Sequence, residues 1–366
     1  VQSFDLDKTD WNDDSSRKIL AYLENNTRSH HFQEGYLMRT QWIFLVIIFL
    51  IMQISANSPE YKMAFQDREF MMESIHQVLT ADLDGDRHPE MVVTGKNYTT
   101  QEFFIYWLGL SSDFKPAVKW QSPNLFEDLS VLWVSAGKFI SDQRQLLAIT
   151  SKNLYFYKAD QEGLSLAKQE VHNFSKILSV ASGDVNGDGR DELVIARIGK
   201  VGKKFYEGSL QVWQLNNDKP VLLGESELLG NIRSITAGDL DGDGKSEILA
   251  DEGQRFAPGN IHILSFNENK FTEIYCAKKL VASAVYSMIV AGFPEGIRLL
   301  TASSGGKVNF FAWKDNTLTP VATALPFEGE LVSVAALSTG EGRLPELIVV
   351  GYPQNFSILT QNEGMN

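Results

Sequence analysis

Hydrophobic positions in this chain fall in short runs rich in Val and Ile, and the runs come in pairs. Residues 75–81 and 91–93, 177–181 and 193–196, and 232–237 and 248–250 are largely apolar, and each pair encloses a polar segment dense in Asp and Gly. Runs this short, β-branched and bordered by turn residues, predict strands and not helices. Each pair therefore predicts a hairpin. Weaker copies keep the apolar–turn–apolar frame at 136–150, 291–301 and 335–350. The six turns start near residues 82, 138, 184, 239, 293 and 336, so they recur every 43 to 56 residues. That period suits one four-stranded propeller blade per unit.

Further strands complete most units: 154–158 and 164–170, 209–215 and 220–225, 260–266 and 271–277, 307–314 and 318–324. The last unit has 331–337, 346–351 and 356–360 and lacks a fourth strand. Residues 61–66, which precede the first unit, form an orphan strand able to supply it and so remove an open sheet edge. The expected fold is all-β: a β-propeller over roughly 60–362, with six four-stranded blades, or seven if two short blades are merged in this count. The aromatic clusters Phe103-Phe104-Ile105-Tyr106-Trp107, Tyr155-Phe156-Tyr157 and Phe310-Phe311-Ala312-Trp313 fall on third strands. Packing between blades is their expected role, ahead of sugar stacking.

The polar segments of the three strong pairs share one nine-residue pattern, D-x-[DN]-G-D-x-x-x-E. It places Asp82, Asp84, Asp86 and Glu90 in the first copy, Asp184, Asn186, Asp188 and Glu192 in the second, and Asp239, Asp241, Asp243 and Glu247 in the third. Oxygens at positions 1, 3, 5 and 9 converge only if the backbone turns sharply, which the glycines permit. The backbone carbonyls of His88, Arg190 and Lys245, at position 7, are expected to add another oxygen. Crowded carboxylates repel without a counter-ion, and an all-oxygen set suits Ca2+, up to three ions in all. An EF-hand is excluded, because its loop runs to a Glu at position 12 between helices. A single copy could be a metal-free turn; three copies in register argue for the metal. The second copy has one charge fewer. The first carries Arg87 where the others have Gly, and Pro89 before its last acid.

Residues 181–184 and 237–239, followed by their acidic loops, resemble the FG-GAP or VCBS-type repeat; Thr80-Ala81-Asp82 matches it less well. That family includes the calcium-bearing blades of integrin α-chain propellers and many secreted bacterial proteins. The resemblance implies a propeller and bound calcium. It says little of function, since such propellers serve adhesion, carbohydrate binding and enzyme accessory roles.

Residues 42–52 are an unbroken apolar run behind Met38-Arg39, with small residues at 54–58. Residues 38–56 read as a signal peptide or an uncleaved signal-anchor, too short for an ordinary span. Residues 1–37 read as a polar disordered tail or an over-extended start. A secreted or cell-surface protein is expected, with any membrane attachment through that segment alone. Cys276 is the sole cysteine, so no intrachain disulfide forms; a core position is expected for it. Sequons stand at Asn97, Asn173 and Asn355. The net charge of −13 argues against nucleic acid, although three bound calcium ions would reduce it to −7.

The six histidines, His30, His31, His76, His88, His172 and His262, form no metal-ligand pair inside the repeats, and no G-x-S-x-G elbow occurs. A non-enzymatic binding or adhesion module for an extracellular protein or glycan is therefore expected. The alternatives are a secreted polysaccharide-active enzyme or its accessory domain, or a structural subunit of a surface assembly. Strand order puts the acidic loops on one face and the connections 198–208 and 251–259 on the other. Lys200, Lys203, Lys204, Phe205, Tyr206, Arg255 and Phe256 are the expected partner-binding residues there, on functional loops of a rigid scaffold.

Overall fold

Twenty-four strands form six four-stranded antiparallel sheets among the described residues. The computed structural model describes residues 61–67, 74–96, 100, 102–122, 133–160, 163–172, 174–202, 206–216, 219–254, 257–324, 327, 329–338, 343–352 and 355–361. The tail 1–37 and the signal-like segment 38–56 lie outside these. In chain order, β1 (Tyr61–Asp67) stands before the first whole blade. Blade one is β2 (Ser74–Ala81), β3 (Glu90–Lys96), β4 (Phe103–Leu110) and β5 (Pro116–Gln121). Blade two is β6 (Trp133–Gly137), β7 (Gln145–Ile149), β8 (Asn153–Asp160) and β9 (Gly163–Val171). Blade three is β10 (Ile177–Gly183), β11 (Glu192–Val201), β12 (Tyr206–Gln214) and β13 (Val221–Glu225). Blade four is β14 (Ile232–Gly238), β15 (Glu247–Gln254), β16 (Ala257–Asn267) and β17 (Lys270–Val281). Blade five is β18 (Val285–Phe293), β19 (Gly296–Ser303), β20 (Val308–Lys314) and β21 (Thr317–Thr323). Blade six holds β22 (Glu330–Leu337), β23 (Glu346–Tyr352) and β24 (Asn355–Gln361), with β1 as its outer strand.

The count settles on six. The orphan strand closes the ring: β1 pairs antiparallel with β24, from Tyr61 opposite Gln361 to Asp67 opposite Phe356. Tyr61 is the pin of this closure. It is buried, its hydroxyl donates to the Pro345 carbonyl at 3.1 Å, and its ring stacks on Phe310 of blade five at 5.8 Å.

Second strands are covered on both faces by neighbouring blades, so their sequences are continuous apolar runs and not alternations. All five residues of β7 are buried. Outer strands meet water and read as mixed, as in β5 and β13. The core is divided into layers between blades. One unites Val92, Ile105 and Trp107 with Val134, Leu146 and Tyr157; each such fully buried side chain contributes about 1.5–3 kcal/mol. The third-strand aromatics belong to these layers, with Tyr155, Phe156 and Tyr157 all buried and Trp120 meeting Tyr157 edge-on at 6.0 Å.

Around the axis, short polar side chains latch blade to blade. Ser333 Oγ accepts from the Val78 amide (3.0 Å), and Ser179 Oγ from the Ile235 amide (3.2 Å). Gln77 both donates to the Val134 carbonyl (2.9 Å) and accepts from its amide (3.1 Å). Each such bond stabilises by about 1 kcal/mol net. The latches surround a central cavity of about 300 Å³.

Candidate metal-binding loops

Each strong acidic pattern joins the first strand of a blade to its second, and all three adopt one backbone path. The position-1 carboxylate gathers the amides of positions 4 and 6: Asp82 accepts from Gly85 and Arg87 (2.8 and 3.1 Å), Asp184 from Gly187 and Gly189 (2.7 and 2.8 Å) and also from Asp188 (3.0 Å), Asp239 from Gly242 and Gly244 (2.6 and 3.0 Å). Positions 3 and 5 each accept from the amide two residues on, as in Asp86 from His88, Asp188 from Arg190 and Asp243 from Lys245 (2.7, 2.9 and 2.8 Å). The path needs left-handed backbone at positions 4 and 6. Glycine supplies it at both places in the second and third loops, whereas the first loop forces Arg87 to φ 72°. A side chain there costs about 1–2 kcal/mol.

The position-9 glutamate anchors the loop from below. Glu90, Glu192 and Glu247 begin the second strands β3, β11 and β15 and are buried. Each accepts the amide of position 2, Leu83, Val185 or Leu240, at 2.6, 3.1 and 2.9 Å, and those three side chains sink into the core. Burial, reinforced by the nearby aspartates, pushes the Glu192 carboxyl up to about 8 and Glu247 up to about 7, and raises Glu90. A protein carboxylate in that position lacks a compensating positive charge.

A hard cation fits this donor set. One carboxylate oxygen each of Asp82, Asp84 and Asp86 lies within 4.8 Å of the others, and likewise for Asp239, Asp241 and Glu247. The second loop is knit differently. The Asn186 side-chain amide donates to Asp188 (3.0 Å) and to Glu192 (2.8 Å), bridging two carboxylates that a cation would otherwise hold. The loops also touch across blades: Ser246 of the third donates its amide to the Asp184 carbonyl of the second (2.8 Å), and Asp191 exchanges bonds with Lys138 in the acid-free turn of blade two. Beside the first loop lies a cleft of about 530 Å³ walled by Asp84, Asp86, Trp107, Lys119 and Asp160. The Trp107 side chain lines this cleft, while its indole N–H is buried without a hydrogen-bond acceptor.

The opposite face differs from the expectation in one respect. The stretches 198–208 and 251–259 are not loops but the ends of long hairpins, because the β11–β12 and β15–β16 ladders continue through bulges almost to their tips. Asp251 is consequently buried in blade four. Lys200 is exposed beside Glu207 at 3.7 Å, and Tyr206 is half-buried, its hydroxyl donating to the Ile232 carbonyl at 2.7 Å. Lys203, Lys204, Phe205, Arg255 and Phe256 lie outside the described residues. What sequence reasoning missed on this face is apolar: Val171, Val201 and Tyr352, at strand ends of blades two, three and six, are 79%, 70% and 66% exposed. Of the sequons, Asn355 is buried and bonded to Gln66 and Ser357, while Asn97 and Asn173 lie outside the described residues.

Fold and loops together define a six-bladed β-propeller with acidic turns between first and second strands. Within it the chain carries an FG-GAP repeat: that family's model matches residues 178–199, from β10 through the second acidic loop into β11. No curated protein matches the chain. Among solved structures it is similar to BBS1N in complex with ARL6DN, in crystals soaked with lead and with mercury. Both comparisons give a TM-score of 0.51 and 13% identity over 84% of this chain and 99% of that one. At that identity the likeness is one of fold.

Proposed function

We propose that this protein is a calcium-stabilised β-propeller acting outside the cytoplasm as a non-catalytic binding module, with a protein partner on the face opposite the acidic loops. One observation carries the choice of face: Val171, Val201 and Tyr352, the three most exposed large hydrophobic residues described, all sit at strand ends on that side. Exposed apolar groups at the rim of a rigid scaffold favour protein contact. Calcium rests on Asp82, Asp84, Asp86 and Glu90, on Asp239, Asp241, Asp243 and Glu247, and more weakly on the second loop, where Asn186 replaces a charge. Weak sites of this kind suit the calcium outside cells, in keeping with the reading of residues 38–56 as a signal or anchor.

A second reading, a glycan in the cleft beside the first acidic loop, is favoured by the Trp107 side chain that lines it together with Asp84, Asp86, Lys119 and Asp160. One experiment separates the two. Wild-type protein and a variant carrying Val171→Asp, Val201→Asp and Lys204→Glu are immobilised in calcium and offered solubilised surface proteins and, separately, a glycan array. A protein captured by the wild type and lost by a variant of unchanged melting temperature supports the proposal. Equal capture by both refutes the partner face. Binding of a defined glycan, abolished by Trp107→Phe, transfers the function to the cleft.

A further inference from the structure

Blade four brings together a second group of side chains of metal-ligating type, different in chemistry from the acidic loops. His262 lies on β16, Glu252 on β15, and Glu273 and Cys276 on β17, so the group spans the second to fourth strands of the blade. Strand register brings them to one side of the sheet. His262 stands opposite both Ala250 and Cys276, and a bulge between Ile263 and Leu264 sets Glu273 opposite Leu264, two residues along on the same side. One ligand atom each from His262, Glu273 and Cys276 lies within 4.8 Å of the others. His262 Nδ1 is 2.5 Å from Glu273, and its Nε2 is 2.9 Å from Glu252, which is held in turn by the Asn260 side-chain amide at 2.9 Å.

We infer that His262, Glu273 and Cys276 form a site for a borderline-soft divalent transition metal of the zinc class. A nitrogen, a thiolate sulfur and a carboxylate oxygen are the donors such ions select, and they disfavour calcium and magnesium. Three protein ligands leave a fourth tetrahedral position for water. Glu252 completes the pattern, because a metal-bound imidazole ordinarily gives its other N–H to a carboxylate that fixes the ring. Bonds of about 2.0–2.3 Å place ligand atoms roughly 3.3–3.8 Å apart, so Glu273, the most exposed of the three, need only swing outward from the imidazole by about 1 Å. Binding exchanges all but one of the ion's waters for metal–sulfur, metal–nitrogen and metal–oxygen bonds, and releases the Cys276 thiol proton to solvent, together with the Nδ1 proton where the imidazole is charged. His262 is largely buried while Glu273 is half-exposed, which gives the ion an entry path.

The test uses the full propeller in excess calcium, so that the acidic loops are occupied, with Co2+ as the probe. One equivalent should produce visible tetrahedral bands and a near-ultraviolet thiolate-to-cobalt charge-transfer band. Cys276→Ser should lose the charge-transfer band, and Glu252→Gln should weaken Co2+ binding by about 10–100-fold. In the wild type alone, Zn2+ should slow alkylation of Cys276 by iodoacetamide, a measurement that needs no variant. Absence of the charge-transfer band in the wild type, its survival in Cys276→Ser, or an alkylation rate indifferent to Zn2+ would overturn the inference.

Discussion

Replacing Glu192 by Gln separates the two halves of the calcium argument, because the advantage it confers without the ion should shrink once the ion is supplied. Without calcium, burial beside Asp188 and Asp184 lifts the folded-state pKa from 4.5 to about 8. A carboxyl whose pKa is raised on folding contributes fully below its unfolded value and loses that contribution as pH rises through the folded value. At about 1.4 kcal/mol per pKa unit, the ionisable side chain costs roughly 3 kcal/mol at pH 7. Gln removes that cost. It keeps an oxygen for the Val185 amide but not the second acceptor used by the Asn186 side chain, a loss of about 1 kcal/mol. The variant should therefore be more stable than the wild type by about 2 kcal/mol in chelator at pH 7, and the gap should close as pH falls towards 4.5. In calcium the wild-type loop gains about 1.4 kcal/mol when the ion stands at about tenfold its Kd. A loop without its buried anion gains much less. Urea unfolding of both proteins, from pH 4.5 to 8.5 in chelator and in calcium, reads all of this, and the difference between them isolates Glu192 from other titrating groups. A variant less stable than the wild type in chelator at pH 8, or one that gains as much from calcium, refutes the reasoning.

Two smaller predictions follow from the same geometry. Arg87→Gly should stabilise the protein by about 1 kcal/mol in chelator denaturation, since it relieves a left-handed backbone that the other two loops give to glycine; a destabilised variant would mean that the Arg87 side chain makes a contact worth more than the strain. Tyr61→Ala should cost about 3–5 kcal/mol, by analogy with other buried aromatics, and should appear in urea unfolding as a loss of the closing strand; a change under 1 kcal/mol would show that β1 does not hold the ring shut.

The blade count and the acidic turns were legible because each is local, and the closing strand because the repeat left the last unit one strand short. A nine-residue pattern and paired apolar runs need no partner elsewhere in the chain to be read. The His262, Glu273 and Cys276 group was not. Its members stand on two strands of one hairpin at no recognised ligand spacing, and the bulge after Ile263 brings Glu273 to the His262 side. A period-two reading without that bulge assigns Glu273 to the other side. The long hairpins of blades three and four escaped for a related reason: Gly199, Gly208, Gly253 and Gly259 read as loop signals, yet here they sit inside strands whose ladders run past bulges. The departure of the second acidic loop was visible as one missing charge. Its Asn186 bridge between Asp188 and Glu192 was not, because which way an amide points depends on what surrounds it.

The closing strand also sets a schedule for synthesis. Tyr61–Asp67 pairs only with Asn355–Gln361, so the ring stays open until some 290 further residues have been made. At about 5–20 residues per second that is roughly 15–60 s. Throughout, β1 waits with both edges unpaired and Tyr61 without its stacking partner, an open template for any passing strand. In the finished ring one of these edges is paired with β24, and β1 keeps only the outer edge that each blade presents to solvent. A cell making this protein must therefore guard its first strand for as long as it takes to write the last.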